Sequence, residues 1–198
     1  MMTLPKPHPT NDGTEAAQAY QFVWDIEDRF IGALMSCTAA EIRTLAAIVR
    51  PTDIYRPTPR WAYELIVHLA LAGIDPNDPR NIIAAAHHHA PSDYHTSDID
   101  LAEKRPHLFV TLCRYLVDVY ATGERESLIC HTRELLDESF RRTNEQWSVR
   151  QGEMSCAAAD RQDIRAMHLA MRQDLADIWN RCETAAAITD LSTQETTP

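Results

Sequence analysis

Residues 124–151 read ERESLICHTRELLDESFRRTNEQWSVRQ, 28 consecutive positions with neither proline nor glycine. Leu128, Thr132, Leu135 or Leu136, Ser139 or Phe140, Thr143 and Trp147 recur every three to four residues, the spacing that gathers side chains on one helix face. At 1.5 Å per residue such a helix is roughly 42 Å long. Gly152 is expected to break it. A second long helix is predicted from about Ala158 to Thr184. Its seam is Ile164, Met167, Met171, Leu175, Ile178 and Cys182, a three-four rhythm similar to heptads. Two long amphipathic helices joined by a short turn make an αα-hairpin, here over 122–185. The seam is partly polar, so the hairpin is expected to need a further surface. Self-association through 124–185 would supply one.

Upstream, the same periodicity predicts a small bundle over 19–121. A helix starting near Ala19 carries Phe22, Ile26, Phe30, Ile31 and Leu34 at helical spacing. Thr38 and Glu41 have the spacing of a capping box for a helix over about Ala39 to Val49, with Ile42, Leu45, Ile48 and Val49 on its apolar face. Pro51 ends it, and Asp53 to Pro57 must turn. Thr58-Pro59 reads as an N-cap followed by proline at the first helical position. The helix after it carries Trp61, Leu65, Ile66 and Leu69 and stops at Gly73. Asp78-Pro79 repeats the start signal for a short helix with Ile82, Ile83 and Ala86. Residues 87 to about 105 read as a long polar loop, and Pro106 to Tyr120 as another helix, punctuated by Gly123. Residues 1–18 and 186–198 have the composition of disordered tails. No convincing strand alternation occurs, so the expected fold is all-α: a small helical bundle followed by a long αα-hairpin.

Composition removes several function classes. The chain has 198 residues, 19 basic and 29 acidic, for a net charge of -10. That balance opposes tight binding to a phosphate backbone, and direct nucleic-acid binding is not expected. The five glycines (13, 32, 73, 123 and 152) offer no pair with phosphate-loop spacing. There is no GxGxxG loop and no GxSxG elbow. The N-terminus lacks the apolar core of a signal peptide, and no run of about 18 apolar residues exists, so a cytoplasmic protein is expected. Cys37, Cys113, Cys130, Cys156 and Cys182 include no CxxC pair and read as buried or partly buried free thiols.

Candidate chemistry is sparse. His87, His88 and His89, with Asp93 and His95 nearby, are good zinc-ligand types. Three successive helical positions point in different directions, however, and a solvated helix end is the simpler reading. Glu64 and His68 stand i to i+4 and have the spacing to hydrogen-bond. His131, Glu134 and Asp137 read as an exposed face. Arg141, Arg142 and Arg150 form a basic stretch around Trp147, and Trp and Arg are favoured interface anchors. Trp147 alternatively packs against Trp179 or its neighbours inside the hairpin. No catalytic constellation, metal site or cofactor is expected, and the chain reads as a non-enzyme.

The order of short elements resembles the N-terminal domain of bacterial replicative DNA helicases of the DnaB type. Ile31-Gly32-Ala33-Leu34-Met35 is similar to that family's Leu-Gly-Ala-Leu-Leu element. Asp53-Ile54-Tyr55-Arg56-Pro57 is similar to its Asp-Phe-Tyr-x-Pro loop, and Pro59-Arg60-Trp61-Ala62-Tyr63 to a reduced form of the next element. Gly73-Ile74-Asp75-Pro76 stands for the Gly-x-x-x-Asp-Pro turn and Arg141-Arg142 for the later arginine pair. The resemblance is best over 24–90, weaker over 107–150, and over 157–185 limited to a predicted hairpin arm. It implies a non-catalytic domain that pairs through its hairpin and docks primase, helicase or a loader. It makes Gly32, Asp53, Tyr55, Pro57, Gly73 and Asp75 structural positions. The family's ATPase domain is missing from these residues, so what the resemblance implies is the interaction half of the function: recruiting or modulating helicase, primase or loader in DNA replication. A metal- or ligand-binding regulator on the same scaffold, and a remnant of a split helicase gene, are the alternatives.

Overall fold

The structure, a computed structural model, describes residues 26–92, 106–121, 123–157 and 159–188. The expected tails, the helix start near Ala19 with Phe22, the loop positions Asp93 and His95, and the start at Ala158 lie outside the described residues. Among the described residues there are seven helices and two 3-10 turns, and no strand. They are α1 (helical over 26–34), α2 (Ala39–Ala46), α3 (Pro57–Leu71), α4 (Pro79–Ala86), α5 (Pro106–Tyr120), α6 (Leu128–Cys156) and α7 (Arg161–Ala187). The fold is all-α. Among the described residues no helix is long and apolar enough to cross a membrane.

The start signals are built as the residues dictate. Thr38 Oγ1 accepts from the Glu41 amide while the Glu41 carboxylate accepts from the Thr38 amide at 2.8 Å, a complete capping box on α2. Asp75 adds a long-range cap, its Oδ1 accepting from the Ala39 amide at 2.7 Å. Asp78 caps α4 through the Arg80 amide, with Pro79 at the first helical position. At the end of α3, Gly73 has φ +75°, the left-handed conformation glycine adopts without a Cβ penalty. The Ile74 amide reaches the Leu69 carbonyl and the Gly73 amide that of Ala70, the two bonds of a Schellman stop.

Four boundaries differ from the sequence reading. Helix α3 begins at Pro57, not after Thr58: Arg56 is its extended N-cap residue, and both Pro57 and Pro59 fit a first turn whose N–H groups need no partner. Helix α6 passes through Gly152 and ends at Cys156. A glycine in a helix interior costs about 1 kcal/mol, too little to stop a helix carried by packing elsewhere. The next start belongs to Asp160, which accepts from the Gln162 and Asp163 amides. Helix α2 stops at Ala46, with the Ile48 and Val49 amides still bonded to the Leu45 carbonyl.

One apolar core draws on all seven helices. Phe30, Ile31, Leu34, Leu45, Leu65, Ile66, Ile82, Leu112 and Leu116 are buried with Leu135 and Leu136 of α6 and Ala185 of α7. Tyr63 is buried against Phe30 and donates its hydroxyl to the Val49 carbonyl at 2.7 Å, and Trp61 donates to the His89 carbonyl at 3.0 Å. Gly32 admits close backbone contact: a Cβ there would lie 2.6 Å from the Val119 carbonyl oxygen and 3.0 Å from Gly123 Cα. The Gly32–Gly123 contact thus brings α1 onto the end of α5.

Helices α6 and α7 pair antiparallel as a hairpin whose root is embedded and whose far end is not. At the root, Arg133 of α6 donates to the Ala185, Ala186 and Ile188 carbonyls, closing the C-terminus of α7. Beyond Ser139, α6 has no fully buried side chain among the described residues. On α7, Met167 is the one buried residue before Ile178. The predicted α7 seam (Ile164, Met167, Met171, Leu175, Ile178 and Cys182) is the set that turns inward, each buried or half-buried.

Candidate functional site

The site grows from Asp53, in the loop between α2 and α3. Glu27 on α1 shapes that loop. It is buried on the apolar face of its helix and accepts from the Tyr55 and Arg56 amides and from Arg56 Nε at 3.0 Å. Arg56 also pairs with Asp28, and Arg60 Nε donates to the Ile54 carbonyl at 2.9 Å. Both arginines therefore serve as loop fasteners. The Tyr55 ring is half exposed and lies under the Arg142 guanidinium, 5.4 Å from ring centre to Cζ.

Asp53 itself is 1% exposed. Its Oδ2 accepts from the Arg50 amide at 2.7 Å, closing the 3-10 turn, and pairs with Arg181 Nη1. Its Oδ1 accepts from Ser139 Oγ at 2.8 Å and from Arg181 Nη2 at 3.1 Å. Its carbonyl accepts from Arg142 Nη2 at 2.6 Å. Ser139 and Arg142 lie one turn apart on α6, and Arg181 is on α7, so one loop residue holds both arms of the hairpin. A buried carboxylate is tolerable because its oxygens are so fully bonded to donors and a cation. Arg181 is held above its ordinary range: burial pulls its pKa down, but the hydrogen bonds and charge of Asp53 and Asp177 outweigh that.

Beside this knot opens a groove of about 430 Å³ between the loop and the two arms. Trp147 and Ile178 give it apolar walls, and Thr52, Thr143 and Gln146 give it neutral polar ones. Arg50, Arg150 and Arg181 stand against Asp53, Asp174 and Asp177. Arg50 Nη2 meets Asp177 Oδ1 at 2.8 Å, and Arg181 Nε meets Asp177 Oδ2 at 3.1 Å. Arg150 sits over the Trp147 ring at 5.3 Å.

Of the residues singled out as partner-binding, Trp147 and Arg150 share this groove, Arg142 fastens the loop, and Arg141 lies on the surface 3.6 Å from Glu138. Trp147 does not pair with Trp179 itself, which meets Phe140 edge-on at 5.9 Å, but it shares the groove with Ile178, the neighbour of Trp179. Among the positions expected to be structural, Gly32 makes a close contact, Pro57 opens α3, and Gly73 and Asp75 serve stop and cap. Arg50, Thr143, Asp174, Asp177 and Arg181 were not legible as a site, although Asp177 and Arg181 do stand at salt-bridge spacing on one helix.

The histidines behave separately. His87 packs on Phe109 with ring centres 4.6 Å apart, and His89 on His68 at 3.8 Å. Glu64 bonds to Ser92, at 3.0 Å from its amide, and not to His68. His131 is buried, contrary to the exposed face expected of it, and stands 3.6 Å from Glu134. Among the described residues no group of three or more His, Cys, Asp or Glu side chains is placed to hold a metal ion. The five cysteines are free, and the expectation of burial fails for Cys130 and Cys156, which are exposed. No protein-family model, curated protein or solved structure matches the chain.

Proposed function

We propose that this chain is a non-enzymatic interaction module, related to the collar domain of DnaB-type helicases, that self-associates through its hairpin and recruits or modulates helicase, primase or loader. The reading rests on one observation above the others. The hairpin is fixed rigidly at its root by Asp53, Arg181 and Arg133, while its far half exposes Val149 and Leu169 and buries little. A long arm held at a set angle with apolar positions unpartnered is what an association surface requires. Two of the family-like positions support the same reading by their work in the fold, since Asp53 and Arg142 join the loop to that root. The experiment is molar mass by light scattering, alone and with a bacterial primase C-terminal domain or replicative helicase. The expected result is a mass of twice the 22.5 kDa chain and co-elution with one of the two. A monomer that ignores both overturns the proposal.

A further inference from the structure

The charges around the root groove do not all cancel in pairs. Asp53, Arg181, Asp177 and Arg50 form one connected chain of ion pairs, two anions and two cations. Two charged groups on the same walls are left over. Arg150 has no carboxylate within ion-pairing distance among the described residues, and its guanidinium is held over the Trp147 ring. Asp174 has no cation or donor partner among the described residues. A third polar group is also unengaged. Thr44, Thr111, Thr132 and Thr184 each donate their hydroxyl to the carbonyl four residues back, whereas Thr143, half-buried in the groove wall, makes no hydrogen bond among the described residues.

We propose that the root groove is a binding site for a small zwitterion, an α-amino acid with an apolar or aromatic side chain. Arg150 takes the carboxylate, for which a guanidinium fork gives paired, charge-assisted hydrogen bonds. Asp174 takes the ammonium. Thr143 is available to either group, and Trp147 and Ile178 form the wall against which the side chain lies. An inorganic anion would satisfy Arg150 alone and leave Asp174 without a partner; a simple amine would do the reverse. All five contacts come from the two arms of the hairpin, and the Asp53 loop closes another side of the groove.

The test follows the Trp147 indole N–H in proton–nitrogen correlation spectra of the full chain, assigned by loss of its signal in Trp147→Phe. Phenylalanine, N-acetylphenylalanine, phenylalaninamide and inorganic phosphate are titrated to millimolar concentration. Phenylalanine is expected to shift the signal, with the acetylated and amidated forms each weaker by about tenfold or more, since each lacks one charge-assisted contact. Arg150→Gln should reduce phenylalanine to the level of its amide, and Asp174→Asn to the level of its N-acetyl form. Both positions are exposed, so neither change threatens the fold. Equal binding of phosphate or N-acetylphenylalanine would make this an anion site and overturn the proposal. Equal binding of the amide, or no shift with any probe, would overturn it too.

Discussion

A methyl group at position 32 has nowhere to go, because the Val119 carbonyl and the Gly123 backbone flank it. Gly32→Ala should therefore destabilise the chain by about 2 kcal/mol in urea unfolding, the scale of overpacking against unyielding atoms. Gly152→Ala should do the opposite. Nothing lies within 4 Å of a Cβ there, and alanine gains about 1 kcal/mol over glycine inside a helix. The same denaturation curves separate the two signs. Asp53→Ala strips the half-buried Arg181 of one of its two carboxylates and leaves the Ser139 hydroxyl without its acceptor, and should cost about 3 kcal/mol, while Arg181→Met in that background should cost less than it does alone. The cysteines give a chemical readout. Burial, then the nearby Glu41 charge, pushes the Cys37 thiol up to about 12. A thiol-specific disulfide reagent at pH 8 should modify the exposed Cys130 and Cys156 quickly and reach Cys37 only on unfolding. Gly32 was legible as a structural position only through the family-like element Ile31–Met35 that contains it. The neighbour, 91 positions away, was not, and neither was Arg181, which meets Asp53 across 128 positions.

At the level of helices, local chemistry carried the reading and tertiary contacts edited it. Thr38, Asp78, Gly73 and the α7 seam were readable because caps and periodicity are set within a few residues. Gly152 and Thr58 misled for the same reason: each is a valid local signal overridden by packing or by proline at an earlier turn. Glu27 carried a readable clue, an acid on the stripe shared with Phe30 and Ile31, but its partners lie in a loop 28 residues on. The α2 capping box also sets a pH dependence. Burial raises the Glu41 carboxyl, but the Thr38 amide and the Arg125 guanidinium outweigh it and hold the group below its ordinary range. In the acid window the unfolded chain then binds more protons at this site than the folded one, so stability rises with pH there. The contribution is complete above the unfolded pKa and fades as pH falls through the folded one. Glu41→Gln should lower the thermal midpoint at neutral pH and flatten its decline on acidification, as read by circular dichroism.

For the molecule as a whole, the far half of the hairpin is where burial and charge pull against each other. Val149 is 58% exposed and Leu169 49%, surface that association would remove from water. Yet each copy carries a net charge of -10, so two copies brought together repel over distances set by the Debye length, about 8 Å at physiological salt and shorter above it. If the proposed self-association draws its free energy from the apolar positions, added sodium chloride must strengthen it, because screening weakens the repulsion and leaves the burial intact. Sedimentation equilibrium from low to high salt should show the dimer constant rising. An association driven by interchain ion pairs would instead weaken along that series, and would sink this account of the interface. The companion variant is Val149→Asp with Leu169→Asp, both at exposed positions outside the core, which should return the chain to monomer at every salt concentration with its helical circular dichroism unchanged. A double variant that keeps the dimer mass would place the contact elsewhere on the molecule, with the α5 surface around Val110 and Val117, 63% and 68% exposed, the next to change.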